Sequence, residues 1–432
     1  MNRTAIDTCR AVAAAALLTL SFTSPLSAQT GPRARDLGVP FDGTPGLHNA
    51  ITDVAGVEVG HTTLISGSGK LVVGEGPVRT GVTAILPRGK ESPDPVFAAW
   101  FPLNGNGEMT GTTWIDESGF LEGPVLITNT HSVGVVRDAV IRWRRERGHD
   151  FLWALPVVAE TWDGLLNDLD GFHVEPAHVF QALDSAMGGP VEEGAVGGGT
   201  GMVCNGFKGG IGTSSRKLSP EAGGYTVGVL VQCNYGGREI LRIAGVPVGR
   251  EIEGLETCRA SDVESTRVWL DDLPRCEEEG AGESDEAPGS DEVPGSDEAP
   301  DTGRGSIIIV VATDAPLLPH QLERIVKRAT LGIGREGSIA SHYSGDIFVA
   351  FSTANPGATS AGESGTVPLA MLPNERLGPL FAATVQATEE AVTNAMVAAR
   401  TMTGAGDVRV YALPHDRLRE ILGRYNRLAD MQ

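Results

Sequence analysis

Basic charge is scarce in this sequence: 34 Lys and Arg stand against 55 Asp and Glu, for a formal net charge of −21. A nucleic-acid partner needs a basic face, and none stands out. The one basic cluster, Arg142, Arg144, Arg145 and Arg147, reads as the solvated end of a helix stopped by Gly148. Cysteine is also rare, with five residues, none at zinc-ligand spacing. The apolar run Ala11–Phe22 is too short to span a bilayer. No G-x-x-x-x-G-K-S/T phosphate loop, no G-x-S-x-G elbow and no H-E-x-x-H pair occurs, although Ser360 and Ser364 lie in Gly-containing stretches. The nine histidines are scattered, so His131, His320 and His342 read as structural rather than as general bases. The glycine-rich stretch 194–212 does not match G-x-G-x-x-G in register, and no ribose-binding acid follows. It reads as a tight structural turn or as backbone lining a cleft. No metal or cofactor is expected.

What is present begins with a leader. Arg3 and Arg10 precede the apolar run, and Leu26-Ser27-Ala28 supplies small residues for cleavage. Residues 1–28 are therefore expected to be a signal peptide, sending the chain to the periplasm or outside. That leaves four cysteines. Cys204 and Cys233 sit in apolar contexts typical of buried free thiols, whereas Cys258 and Cys276 are expected to pair.

The acidic residues are concentrated. Residues 277–301 carry eleven of them and no Lys or Arg, within three near-copies of one hexapeptide: 283–288 (ESDEAP), 289–294 (GSDEVP) and 295–300 (GSDEAP). Such a tract has little to bury and reads as a disordered linker over 277–304. It ends at Arg304-Gly305, just before Ser306-Ile307-Ile308-Ile309-Val310-Val311, a β-branched run that reads as a buried strand. Further strands are expected at Tyr225–Cys233 and Ile347–Phe351. Helices are expected near Val133–Arg147, around His320–Ala329 and from about Leu377 to Met402. Strands and helices mix on both sides of the linker, which suggests one α/β core interrupted by a loop.

The Gly305-Ser306 junction suits a specific reaction. A Ser hydroxyl can attack the carbonyl before it, giving an ester that water opens. Gly at the preceding position tolerates unusual backbone angles and leaves that carbonyl open. Once freed, Ser306 would carry an α-amine of reference pKa about 7.7–8.0, able to activate its own hydroxyl without a histidine. Gly-Ser before a strand is also ordinary chain punctuation, so these residues alone leave a structural turn open.

The motifs Arg33-Ala34-Arg35-Asp36-Leu37-Gly38, 49–57 (NAITDVAGV), 127–134 (ITNTHSVG), 197–216 and 305–316 (GSIIIVVATDAP) are long and distinctive. Across nearly the whole mature chain the sequence resembles the L-aminopeptidase/D-Ala-esterase-amidases and β-peptidyl aminopeptidases. The resemblance implies an αββα four-layer sandwich akin to, but topologically distinct from, N-terminal-nucleophile hydrolases. It also implies self-cleavage at Gly305-Ser306 into chains 29–305 and 306–432 of one catalytic domain, with Ser306 as nucleophile. Ser344 and Asp346 fall where the family carries a Ser-x-acid pair, able to hydrogen-bond and orient Ser306. Asn234 matches an Asn facing the oxyanion, and Glu160 a carboxylate that binds the substrate's free amine. A tetramer of chain pairs is implied, acting on a small peptide, amide or ester. Three departures stand out: Asp346 replaces a Glu of some relatives, Trp162 replaces a Tyr whose hydroxyl nears the oxyanion, and the acidic repeat lengthens the segment before the cut. An acyl-transfer enzyme of the ornithine-acetyltransferase kind and a processed, non-catalytic envelope binding protein are the alternatives. Those transferases use Thr where this chain has Ser306.

Overall fold

Two β-sheets carry the molecule, and the order of their strands decides where the Gly305-Ser306 bond lies. The structure is a computed structural model describing residues 31–261, 263, 273–276, 305–360 and 365–429. The expected signal peptide and acidic repeat lie outside the described residues. The first sheet has the order β1 (Glu58–Ser66), β2 (Val78–Leu86), β5 (Val125–Asn129), β6 (Val157–Thr161), antiparallel except for the parallel β5–β6 pair. The second has six strands, β4 (Phe120–Leu121), β3 (Val96–Pro102), β13 (Ser344–Ser352), β12 (Gly305–Thr313), β10 (Thr226–Asn234) and β9 (Gly210–Lys217). Only β12 and β13 run parallel in it. Smaller pieces are the hairpin of β7 (Val203–Cys204) with β8 (Phe207–Lys208), and a sheet of β11 (Cys258–Arg259), β15 (Val408–Val410) and β14 (Met402–Thr403).

Alternation along the strands builds three cores. Ile85, Ile127 and Ala159 of the first sheet pack with Leu230, Ile308, Val310 and Val349 of the second, so the two sheets share one apolar core. The other face of the first sheet, through Ala84, Leu126 and Val158, meets helices Val133–Glu146 and Pro176–Ser185. The other face of the second, through Val229, Ile307, Ile309 and Phe348, meets helices Pro319–Val326, Ala329–Arg335, Gly378–Ala398 and His415–Arg424. β10, β12 and β13 are buried along their length, which is why Ile, Val and Ala fill them on both faces. Among the described residues no helix is long and apolar enough to cross a membrane.

Three expectations change in detail. The helix expected to reach Met402 ends at Ala398, and its interior carries buried Thr384, Thr388, Glu390, Thr393 and Asn394 as well as the apolar stripe. The basic cluster does close a helix at Gly148, whose φ of 77° suits glycine. Arg144, however, is buried: its guanidinium donates to the Glu122 carbonyl at 2.9 Å and lies over the Phe151 ring. The third change concerns the cysteines. Cys258 pairs with Cys276 as expected, but Cys204 and Cys233 are also bonded, with their Cα atoms 5.5 Å apart. Both are fully buried, as their contexts indicate. The β7–β8 hairpin, packed beside the end of β10, brings together two thiols 29 residues apart.

Candidate active site

β12 begins at the bond in question. Gly305 is the first residue of the strand, and Ser306 the second. Gly305 has φ 124°, a conformation L side chains rarely adopt, and a Cβ there would collide with the Asn234 carbonyl oxygen. Two separate constraints thus demand glycine before Ser306. Ser306 shares the alternation of Ile308 and Val310, which turns its side chain toward the first sheet. The residue is 5 % exposed, and its hydroxyl accepts the Gly345 N–H at 3.1 Å.

The neighbouring strands place the other candidates. Parallel pairing sets Gly305 beside Ser344 and Ser306 beside Gly345, while antiparallel pairing sets Asn234 of β10 opposite Ser306. Ser344 and Asp346 are therefore strand residues rather than a turn before the strand, because the pairing with β12 starts at Ser344. The Ser344 hydroxyl donates to Asp346 Oδ1 at 2.6 Å, and Asn104 braces Asp346 twice, accepting its N–H at 2.6 Å and donating to Oδ2 at 3.3 Å. Burial pushes the Asp346 carboxyl up to about 6, against the pull of Ser344, Asn104 and the Ile307 N–H. Among the described hydrogen bonds of the uncut chain Ser344 serves Asp346, and its expected bond to Ser306 does not occur.

Asn234 is held at both ends of its amide. Oδ1 accepts the Val203 N–H at 2.8 Å, and Nδ2 donates to the Trp162 carbonyl at 2.9 Å. An N–H demands an oxygen and a carbonyl demands a donor, so these two partners fix which way the amide faces. Glu160 reaches the same place from β6 of the other sheet. Its Oε1 accepts the Glu108 N–H at 2.9 Å and its Oε2 the Thr130 hydroxyl at 2.5 Å. Burial raises its pKa, partly offset by those two donors. A side chain at Gly107 would touch both Glu160 Oε1 (3.3 Å) and Gly345 Cα (3.2 Å), so a carboxylate lies close beside the Ser306 partner strand. Trp162, just beyond Glu160, is 40 % exposed.

His131 borders this constellation, its charge pulling the Glu160 carboxyl down against the effect of burial. His131 Nδ1 lies 3.3 Å from Asp170, and its ring stacks on Phe172. Sequence reading passed over Asn104, Gly107, Thr130 and Gly345, which act through backbone or through a second side chain and carry no motif of their own. The glycine-rich stretch proves to be close packing: Cβ atoms at Gly198 and Gly199 would strike the Ile127 carbonyl oxygen and the Ile211 nitrogen. Within it lies Lys208, a fully buried basic residue in a glycine-rich stretch. Among the described residues no cluster of His, Cys, Asp and Glu could hold a metal ion.

Residues 49–410, from the first 3₁₀ turn after the N-terminal segment to the end of β15, match peptidase family S58. The chain belongs to that family. It is a hydrolase. A β-peptidyl aminopeptidase, BapA of Sphingosinicella microcystinivorans, is 54 % identical over 399 residues, covering 92 % of this chain and 94 % of its own. BapA of Sphingosinicella xenopeptidilytica is 48 % identical over 405 residues, covering 91 % of each chain. Among solved structures, a β-aminopeptidase from Burkholderia sp. superposes with a TM-score of 0.75 at 44 % identity, covering 91 % of this chain and 99 % of its own. The L-aminopeptidase D-Ala-esterase/amidase of Ochrobactrum anthropi, described as a variant of the Ntn hydrolase fold, gives 0.77 at 44 % identity, covering 92 % and 100 %. Membership of a peptidase family removes the non-catalytic binding protein as an alternative.

Proposed function

We propose that this S58 hydrolase is an exported, self-processing serine aminopeptidase. The observation that carries the reading is Gly305-Ser306 at the mouth of the second sheet. A strained glycine precedes a buried hydroxyl, with Asn234 opposite on one side, the Ser344–Asp346 pair on the other, and Glu160 reaching in from the first sheet. The helices on the outer faces of two sheets that share a core support an αββα sandwich as part of the same reading.

Processing is an acyl shift. Ser306 Oγ attacks the Gly305 carbonyl carbon, the C–N bond breaks, and the nitrogen leaves as the Ser306 α-amine. Water then opens the Gly305 ester, returning the hydroxyl and leaving a Gly305 carboxylate. In turnover the new amine takes the hydroxyl proton as Oγ attacks a substrate carbonyl and gives it to the leaving amine as the C–N bond breaks. Water then opens the acyl ester, releasing the N-terminal residue as its carboxylate and restoring the hydroxyl. Asn234 Nδ2 has a second N–H for the oxyanion, a donor worth on the order of 10²–10³ in kcat. Glu160 pairs with the substrate ammonium, which relieves its own buried charge. N-terminal β-aminoacyl residues are the proposed substrates, because the two relatives at 54 % and 48 % identity are β-peptidyl aminopeptidases. Trp162 stands at the entrance beside Glu160 and shapes the acyl pocket.

Intact mass and turnover of the purified protein test the reading. The wild type is expected as two chains meeting at 305/306, and Ser306→Ala as one uncut, inactive chain. A fully active uncut wild type, or cutting in Ser306→Ala, would overturn it. Glu160→Gln is expected to lose about 10²-fold in kcat/KM on a β-alanyl p-nitroanilide. The corresponding amine-blocked compound should not be turned over by the wild type; if the wild type hydrolyses it as fast as the free-amine compound, the role of Glu160 in binding the amine fails.

A further inference from the structure

Lys208 is fully buried in the β7–β8 hairpin, yet the reaction above gives it no part. Burying an ammonium is costly, and sequences rarely do so without a compensating carboxylate. Lys208 instead donates to two carbonyls, that of Met202 at 2.6 Å and that of Gly209 at 2.9 Å. Burial is the one cause that pulls its pKa down, to about 7. A cation kept in such surroundings needs a reason beyond packing.

The reason lies in the Met202–Val203 peptide. Its carbonyl accepts Lys208 Nζ, and its N–H donates to Asn234 Oδ1 at 2.8 Å. One peptide unit therefore separates the ammonium from the amide that faces Ser306. A cation on the carbonyl oxygen draws electron density from the peptide and makes its N–H a stronger donor, as in any chain of polarised hydrogen bonds. Holding Oδ1 more firmly fixes the amide and presents Nδ2 to the site. The Cys204–Cys233 bond secures the same unit mechanically, since Cys204 follows Val203 and Cys233 precedes Asn234.

We infer that Lys208 is a positioning residue for the hydrolytic reaction, acting through the Met202–Val203 peptide to orient the Asn234 amide toward the oxyanion. The inference rests on the proposed role of Asn234, and its test separates the two. Turnover of β-alanyl p-nitroanilide is measured for wild type, Lys208→Met, Asn234→Ala and the double variant, after mass and thermal melts confirm processed, folded protein. Lys208→Met is expected to lower kcat on the order of tenfold with KM within about twofold. Asn234→Ala lowers it more, and adding Lys208→Met to Asn234→Ala costs nothing further. A merely structural lysine would cost the same factor in both backgrounds, and that result overturns the inference while leaving the role of Asn234 intact. An unchanged kcat in Lys208→Met overturns it too. If Asn234→Ala keeps full kcat, the oxyanion assignment falls and takes the inference with it. Should Lys208→Met not fold, Lys208→Gln, which keeps a donor and loses the charge, enters the same cycle. Should Asn234→Ala cut itself only slowly, the rate of precursor cutting is compared across the four proteins with the same two outcomes; should it not cut at all, Asn234→Asp or Asn234→Ser takes its place in the cycle.

Discussion

At Gly305 backbone strain and lack of space coincide, and the two have different consequences for a substitution. Alanine would have to adopt a positive φ and displace the Asn234 carbonyl. Gly305→Ala is therefore expected to slow cutting by at least tenfold, read as residual intact chain over time; unchanged processing would show that the strained conformation is dispensable. Asp346 makes a second prediction. Its folded pKa, about 6, lies above the ordinary 3.8, so the folded state holds its proton more tightly and this group's contribution to stability falls as pH rises from about 4 to 6. Asp346→Asn removes that dependence. Relative to its parent in an uncut Ser306→Ala background, the variant should gain up to about 3 kcal/mol of unfolding free energy between pH 4 and pH 7. Equal pH slopes in denaturant titrations would rule this out. Of the site residues, Ser306 was pointed to by chemistry, because a Gly-Ser bond entering a buried strand suits an acyl shift, but the residues alone left a turn open and the resemblance singled it out. Asn234 and Glu160 were legible only by resemblance, since one looks like a strand-ending Asn and the other is a lone acid. Lys208 was not legible at all: its meaning depends on a peptide contact that no spacing encodes.

Elements were read more securely where burial is continuous. The runs that became β10, β12 and β13 are buried along their length with mostly apolar centres, so existence and type followed from composition. Boundaries shifted where polar residues belong to a strand for a tertiary reason. Ser344 and Asp346 look like turn chemistry, yet pairing with β12 extends β13 to include them. The Cys204–Cys233 link was misread for a similar reason, because it depends on where a short hairpin packs. Its removal tests how much that packing needs a covalent tie. Replacing both cysteines by Ala is expected to lower unfolding free energy by about 3–4 kcal/mol for a loop of this length. It should also reduce kcat, since the bond flanks both Val203 and Asn234. A doubly substituted protein with unchanged melting and turnover would show the tie to be superfluous.

The whole molecule turns on strand order. In the six-stranded sheet, β12 and β13 come from the segment after the proposed cut, and β3 and β10 from the segment before it. The later segment's pair thus sits between strands of the earlier one, with β3 on one side and β10 on the other. Scission at 305/306 would detach from β12 only Gly305, the first residue of its pairing with β13, so the two chains should co-elute on native size exclusion and part only in denaturant. Separation in native buffer would contradict this packing. The αββα reading came from resemblance, and this alternation of early and late strands could not be read along the chain.

That interleaving gives the protein a direction in time. Under the proposed processing, the precursor would assemble its sheet as one covalent body, whereas the cut pair, once unravelled, would have to find its partner by diffusion and thread two strands into a waiting gap. Recovery of activity after denaturation should consequently depend on protein concentration for the cut form and not for the uncut one. The proposed maturation would then act as a ratchet: the scission that would create the nucleophile would also discard the covalent link that built its surroundings.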